Sequence, residues 1–240
     1  MFDIPMNTKP PVSLAEMAVS SSLTSLPPQS TKPLASAQPV STPTTRPSYG
    51  GVHLRKGQKT ALVPTNGGVL DVIKAGLSWE VSGQQYDLDV ECFMLGADGR
   101  VLGDDWFVFY GSLQSPDGAV THSGDCRDGS LPGDDEVITM RLSSLDSRVK
   151  KLVFVVTINE AKQRGLNFAG VKNAAIHIQD CSSGADLCSF QLTDYYASVT
   201  SMVVGEIYNY NGQWKFNPVG DGVAADLYEL CARYGVQVAD

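Results

Sequence analysis

Residues 73–81 alternate strictly. Ile73, Ala75, Leu77, Trp79 and Val81 are apolar, and Lys74, Gly76, Ser78 and Glu80 between them are polar or small. A period of two is the mark of a strand with one face against a core. The pattern recurs along the chain. Leu88–Leu95 reads as a second strand, closed by the turn Ala97-Asp98-Gly99. Runs at 106–110, 137–142, 152–158, 174–179, 189–192, 202–208 and 214–219 follow, separated by Pro116-Asp117-Gly118, Ser183-Gly184 and Asn211-Gly212. The Asn-Gly pair between Tyr210 and Gln213 predicts a tight hairpin. Many short strands with few helical stretches predict an all-β fold, an antiparallel sandwich or barrel. One helix is expected, because Leu227, Leu230, Cys231 and Tyr234 fall at i, i+3, i+4 and i+7, with Gly235 as C-cap. A shorter helix or turn is expected near 160–164, and no internal repeat is visible.

Composition divides the chain in two. Residues 1–49 hold nine of the 13 prolines and are rich in Ser and Thr, with no Trp. Such a segment buries too little apolar surface to offset its ordering entropy, so a disordered, extended tail is expected there. Ser13-Leu14-Ala15-Glu16 fits a capping box opening about two helical turns over 13–20. Residues 50–240 have a globular composition. The chain's formal charge is −8 and the tail carries +1, so the domain carries −9. That balance argues against nucleic acid and favours cations or simple solubility. No transmembrane segment and no secretory signal are evident. Five cysteines, with no CxxC pair, fit a reduced, cytoplasmic compartment.

The stretch 104–136 carries Asp104, Asp105, Asp117, Asp125, Asp128, Asp134, Asp135 and Glu136 against one cationic side chain, Arg127. Carboxylates forced together must take up protons, spread into water or share a cation. Gly-rich turns bearing several Asp surround Ca²⁺ with oxygens. A solvated acidic loop is the plainer reading, but Gly124, Gly129 and Gly133 favour a loop folded around something. An EF-hand is excluded. With Asp125 at position one and Glu136 at twelve, Arg127 and Gly129 stand at ligand positions and Ser130 where glycine is required. Asp87 and Asp89 form a second acidic pair on one strand face, and a cation shared with the Asp104 region would relieve their repulsion.

Other motifs read as structural. Gly220-Asp221-Gly222-Val223-Ala224-Ala225 matches G-x-G-x-x-A, but too few residues follow for a dinucleotide fold, so a tight strand-to-helix turn is expected. A glycosidase pair needs a carboxylic acid in an apolar pocket, and these acids are adjacent and Gly-flanked. His53, His122 and His177 are isolated, and no Ser lies in G-x-S-x-G.

Together these motifs resemble the TerD family of tellurium-resistance and stress proteins. The resemblance is carried in order by Leu54-Arg55-Lys56-Gly57-Gln58-Lys59, Leu77-Ser78-Trp79, Tyr86-Asp87-Leu88-Asp89 and Asp104-Asp105-Trp106-Phe107-Val108-Phe109-Tyr110. Ser115-Pro116-Asp117-Gly118, Gly124-Asp125, Gly133-Asp134-Asp135-Glu136, Phe154-Val155-Val156-Thr157-Ile158, Gly205-Glu206-Ile207-Tyr208 and Trp214-Lys215-Phe216 complete it. It covers about residues 52–238 and leaves out the tail.

The resemblance implies a calcium-binding antiparallel β-sandwich with a non-enzymatic role. Its partners would be other proteins of tellurium-resistance-type operons, at a membrane surface. It further implies two Ca²⁺ ions held by Asp87, Asp89, Asp104, Asp105, Gly124, Asp125, Asp134, Asp135 and Glu136. Cys126 stands where the family has Asn, and a thiol is a poor Ca²⁺ ligand. Asp128, in place of Thr, is expected to restore the oxygen, and Leu131-Pro132 to stiffen the loop. Two other readings stay open: a Mg²⁺- or Mn²⁺-dependent hydrolase using the Asp cluster, and a scaffold recruited through its N-terminal tail.

Overall fold

The computed structural model describes residues 49–80, 86–126, 133–192 and 198–238. The expected tail and its short helix at 13–20 lie outside the described residues, as do Arg127, Asp128, Leu131 and Pro132.

Among the described residues twelve strands form two sheets. The first has the order β1 (Val52–Leu54), β10 (Ala185–Gln191), β9 (Lys172–Asp180), β3 (Val72–Glu80), β7 (Glu136–Arg141), β6 (Val120–His122). The second runs β2 (Thr60–Ala61), β12 (Gln213–Val223), β11 (Ser201–Tyr210), β8 (Lys151–Ile158), β4 (Leu88–Leu95), β5 (Phe107–Val108). All pairings are antiparallel except β1 with β10. Helix α1 (Ala161–Arg164) follows β8, and α2 (Leu227–Tyr234) closes the domain. The Asn211-Gly212 turn joins β11 to β12 with φ of 53° and 81°, the left-handed pair that a tight hairpin needs. Strand β12 runs on through Gly220-Asp221-Gly222-Val223, so the glycine-rich segment is largely strand, and α2 begins only at Leu227.

The alternation of β3 places Ile73, Ala75, Leu77 and Trp79 in the core between the sheets. There they meet Leu88, Val90, Cys92 and Met94 of β4 and Leu152, Phe154, Val156 and Ile158 of β8. The other face of β4 and β8 is also covered. Phe93, Leu95, Val153 and Val155 pack with Phe107 and Phe109 under Leu230, Cys231 and Tyr234 of α2. Phe93 stacks on Phe107 at 4.3 Å and tilts against Tyr234 at 4.6 Å. Strand β4 is therefore buried on both faces along its whole length. Helix α2 begins with a reciprocal capping box between Asp226 and Glu229 and ends at Gly235, whose φ is 87°. The run at 106–110 is strand only at Phe107–Val108, because Asp104–Trp106 forms a 3-10 turn.

Candidate functional site

The sequence reading placed Asp87 and Asp89 on one face at the start of a strand. In the fold Asp87 stands just before β4 and Asp89 lies on it, and Asp125 reaches them from the loop after β6, which belongs to the other sheet. One oxygen from each of Asp87, Asp89 and Asp125 lies within 4.8 Å of the others. Asp87 and Asp89 are only 8% and 5% exposed, whereas Asp125 is open to solvent. Asn159, just past β8, fixes Asp87 twice. Its Nδ2 donates to Asp87 Oδ2 at 2.9 Å, and its backbone N–H donates to the Asp87 carbonyl at 2.9 Å. The Tyr110 phenol stands in the field of this cluster. Burial first, then the charges of Asp89, Glu91, Asp125 and Asp87, push its pKa up to about 12. The donor set is all carboxylate oxygen, the chemistry of a hard cation such as Ca²⁺.

A second set of bonds aims the Asp125 loop. Strand β5 pairs β4 only at Cys92 and Phe93, so Val90 faces an open edge. Glu136 of β7 and His122 of β6 fill that edge. Glu136 Oε2 accepts from Val90 N–H at 2.8 Å, and His122 Nε2 bonds the Val90 carbonyl at 3.0 Å. Gly124 N–H donates to His122 Nδ1 at 2.9 Å, and Cys126 N–H donates to Glu136 Oε1 at 3.2 Å. Asp125 is thus held between two anchored neighbours. Gly124 has φ 103°, a conformation side chains resist. Asp135 Oδ2 accepts from Trp79 N–H at 3.1 Å, and the Cys126 thiol lies 4.0 Å from Asp135 Oδ1.

The remaining candidates go elsewhere. Asp134 Oδ1 meets His177 Nε2 at 2.7 Å, and its Oδ2 meets Lys74 Nζ at 3.2 Å. The other ring nitrogen of His177 meets Asp186 Oδ1 at 2.8 Å. Burial raises the Asp134 pKa, but the bonds from His177 and Lys74 outweigh it and leave the carboxyl below its usual value. Asp186 shifts down likewise, with burial opposed by Gly50 N–H and His177. Gly76 makes room for this network, since a Cβ there would lie 2.4 Å from both Asp134 Cγ and His177 Nε2. Asp104 and Asp105 sit on the 3-10 turn, outside the three-carboxylate group, and Asp104 Oδ1 accepts from Gln237 N–H at 2.8 Å. Asp128 lies outside the described residues.

Sequence reasoning passed over Glu91. It shares the face of Asp87 and Asp89, yet it is 0% exposed. Thr157 Oγ1 donates to its Oε1 at 2.8 Å, and its Oε2 is buried without a hydrogen-bond partner among the described residues. Burial first, then Asp89, raises its pKa well above the usual carboxylate value. The signal was the period of two in Asp87, Asp89, Glu91.

Residues 51–234 match the TerD domain family. Over 191 residues the chain is 39% identical to the tellurium resistance protein TerD of Serratia marcescens, covering 78% of this chain and 99% of that protein. It is 36% identical over 191 residues to general stress protein 16U of Bacillus subtilis (strain 168), covering 78% of this chain and 98% of that one. The crystal structure of a homologue of telluride resistance protein (TerD), SCO6318 from Streptomyces coelicolor A3(2), is similar in fold. Its TM-score is 0.54 at 23% identity, covering 71% of this chain and 100% of that one. The order of motifs, the two-sheet fold and these matches agree: the chain belongs to the TerD family.

Proposed function

We propose that this chain is a calcium-binding stress-response protein of the tellurium-resistance type, a cation-shaped interaction module and not a catalyst. The observation that supports this reading is the convergence of Asp87, Asp89 and Asp125 from two sheets to within 4.8 Å. Three carboxylates at that spacing repel unless protons or a cation intervene. A Ca²⁺ ion takes six to eight oxygens in flexible geometry, which suits two strand-borne carboxylates and one from a loop. Binding would lock the Asp125 loop against the start of β4 and so fix one end of the sandwich. That end, with the exposed Tyr110 beside it, is the surface offered to partners. The relatives are named for tellurium resistance and general stress, and we carry that role to this chain in the cytoplasm, acting with other proteins of the same type. No helix among the described residues is long and apolar enough to cross a membrane.

The test is calorimetric titration of the full chain with CaCl₂, beside Asp89→Asn and Asp125→Asn. The reading expects a saturable isotherm that either substitution weakens at least about tenfold. A flat titration of the unaltered protein rejects it.

A further inference from the structure

We infer that Glu91 is an inner cation ligand, closing on the buried side of the Asp87–Asp89–Asp125 cluster and setting its preference for calcium over magnesium. The inference rests on the cation-binding reading above and goes beyond it, because Glu91 stands outside the three carboxylates that already meet.

Its placement carries the argument. Residues two apart on a strand project on the same side, roughly 6.7 Å apart along the backbone. Asp89 and Glu91 are such a pair on β4. Calcium ligands sit about 2.3–2.6 Å from the ion, so two carboxylate arms that lean together from this spacing can share one ion. Glu91 has the longer arm, and Thr157, which holds its Oε1, is paired directly opposite Asp89 on β8, so the Glu91 carboxylate leans toward Asp89.

Its burial says why something must arrive. Glu91 is 0% exposed, and Oε2 meets no hydrogen-bonding group among the described residues. A buried carboxylate oxygen left unsatisfied is costly. A cation beside Asp89 would give that oxygen its missing partner. Helix α2 is the cover on this side, where Leu230, Cys231 and Tyr234 pack with Phe93 and Leu95 of β4. An ion bound here gives up water on its inner side. Mg²⁺ dehydrates reluctantly and keeps several waters, whereas Ca²⁺ accepts a protein-built shell. A buried fourth carboxylate therefore selects for Ca²⁺.

The experiment titrates the full chain with CaCl₂ and, separately, with MgCl₂, for the unaltered protein, Glu91→Gln and Asp89→Asn, and melts each in chelator. Glu91→Gln is expected to weaken calcium at least about tenfold while magnesium changes far less, so that the calcium-to-magnesium ratio falls. Its midpoint in chelator sets the baseline, and the rise on adding calcium is expected to be smaller than the parent's. Unchanged calcium affinity and an unchanged ratio overturn the inference. So does a Glu91→Gln that melts lower with and without calcium by the same amount, the mark of a purely structural glutamate. Glu91→Asp keeps the charge on a shorter arm and carries the same test should the glutamine variant fail to fold; equal calcium affinity in it overturns the inference. The two readings separate cleanly. If Asp89→Asn loses calcium and Glu91→Gln does not, only the inner ligand is lost. If neither substitution matters, the cluster reading falls with it.

Discussion

Glu136 Oε2 accepts the backbone N–H of Val90 at 2.8 Å, tying β7 of one sheet to the open edge of β4 in the other. The carboxylate is fully buried and its second oxygen holds Cys126 N–H. Glu136→Ala removes the partner of a buried amide, which costs roughly 1–3 kcal/mol. Urea unfolding is expected to show that loss with calcium and with chelator alike. A loss seen only with calcium would make Glu136 a ligand instead of a brace.

His177, with a carboxylate on each ring nitrogen, gives a pH-dependent prediction. Asp134 and Asp186 hold their charge more firmly in the fold than an ordinary carboxylate does. The unfolded chain therefore takes up protons first as pH falls below about 4. The stability from this network is fully present above that point and is lost as pH drops through the depressed folded values. His177→Gln leaves two carboxylates short of a partner and is expected to cost roughly 3 kcal/mol at pH 7. It should also flatten the dependence on the acid side. Unfolding midpoints of parent and variant from pH 7 down to pH 3 check both.

Gly76 tests the same network by sterics. A methyl there would sit 2.4 Å from Asp134 Cγ and His177 Nε2. Gly76→Ala must push a bonded side chain aside and is expected to destabilise by roughly 1–3 kcal/mol. In the His177→Gln background the penalty should shrink, since one obstacle is no longer pinned. A double-mutant cycle reads the coupling directly.

Strands β3 and β4 and helix α2 were legible because each repeats its period over enough residues to stand out. Strands β1, β2 and β6 have three residues or fewer and borrow their order from neighbours, so no local pattern announces them. The same contrast holds at the site. The shared face of Asp87 and Asp89 was legible from strand geometry alone. Asp125 comes from the other sheet, on a loop anchored where Glu136 and His122 grip the edge of β4. Asp134 turns to His177, a partner 43 residues away that no spacing reveals. Glu91 carried no expectation at all, and the packing of α2 over the second sheet is what makes its face an interior.

On the proposed function, a cation completes the cluster of Asp87, Asp89 and Asp125. A thermal melt of the full chain in calcium and in chelator decides it. Calcium at a hundredfold excess over its Kd stabilises by about 2.7 kcal/mol. For a domain of this size that raises the midpoint by roughly 5–10 °C. This rise is expected in the unaltered protein and is expected to be lost in Asp89→Asn. Coincident midpoints in millimolar calcium and in chelator would contradict it.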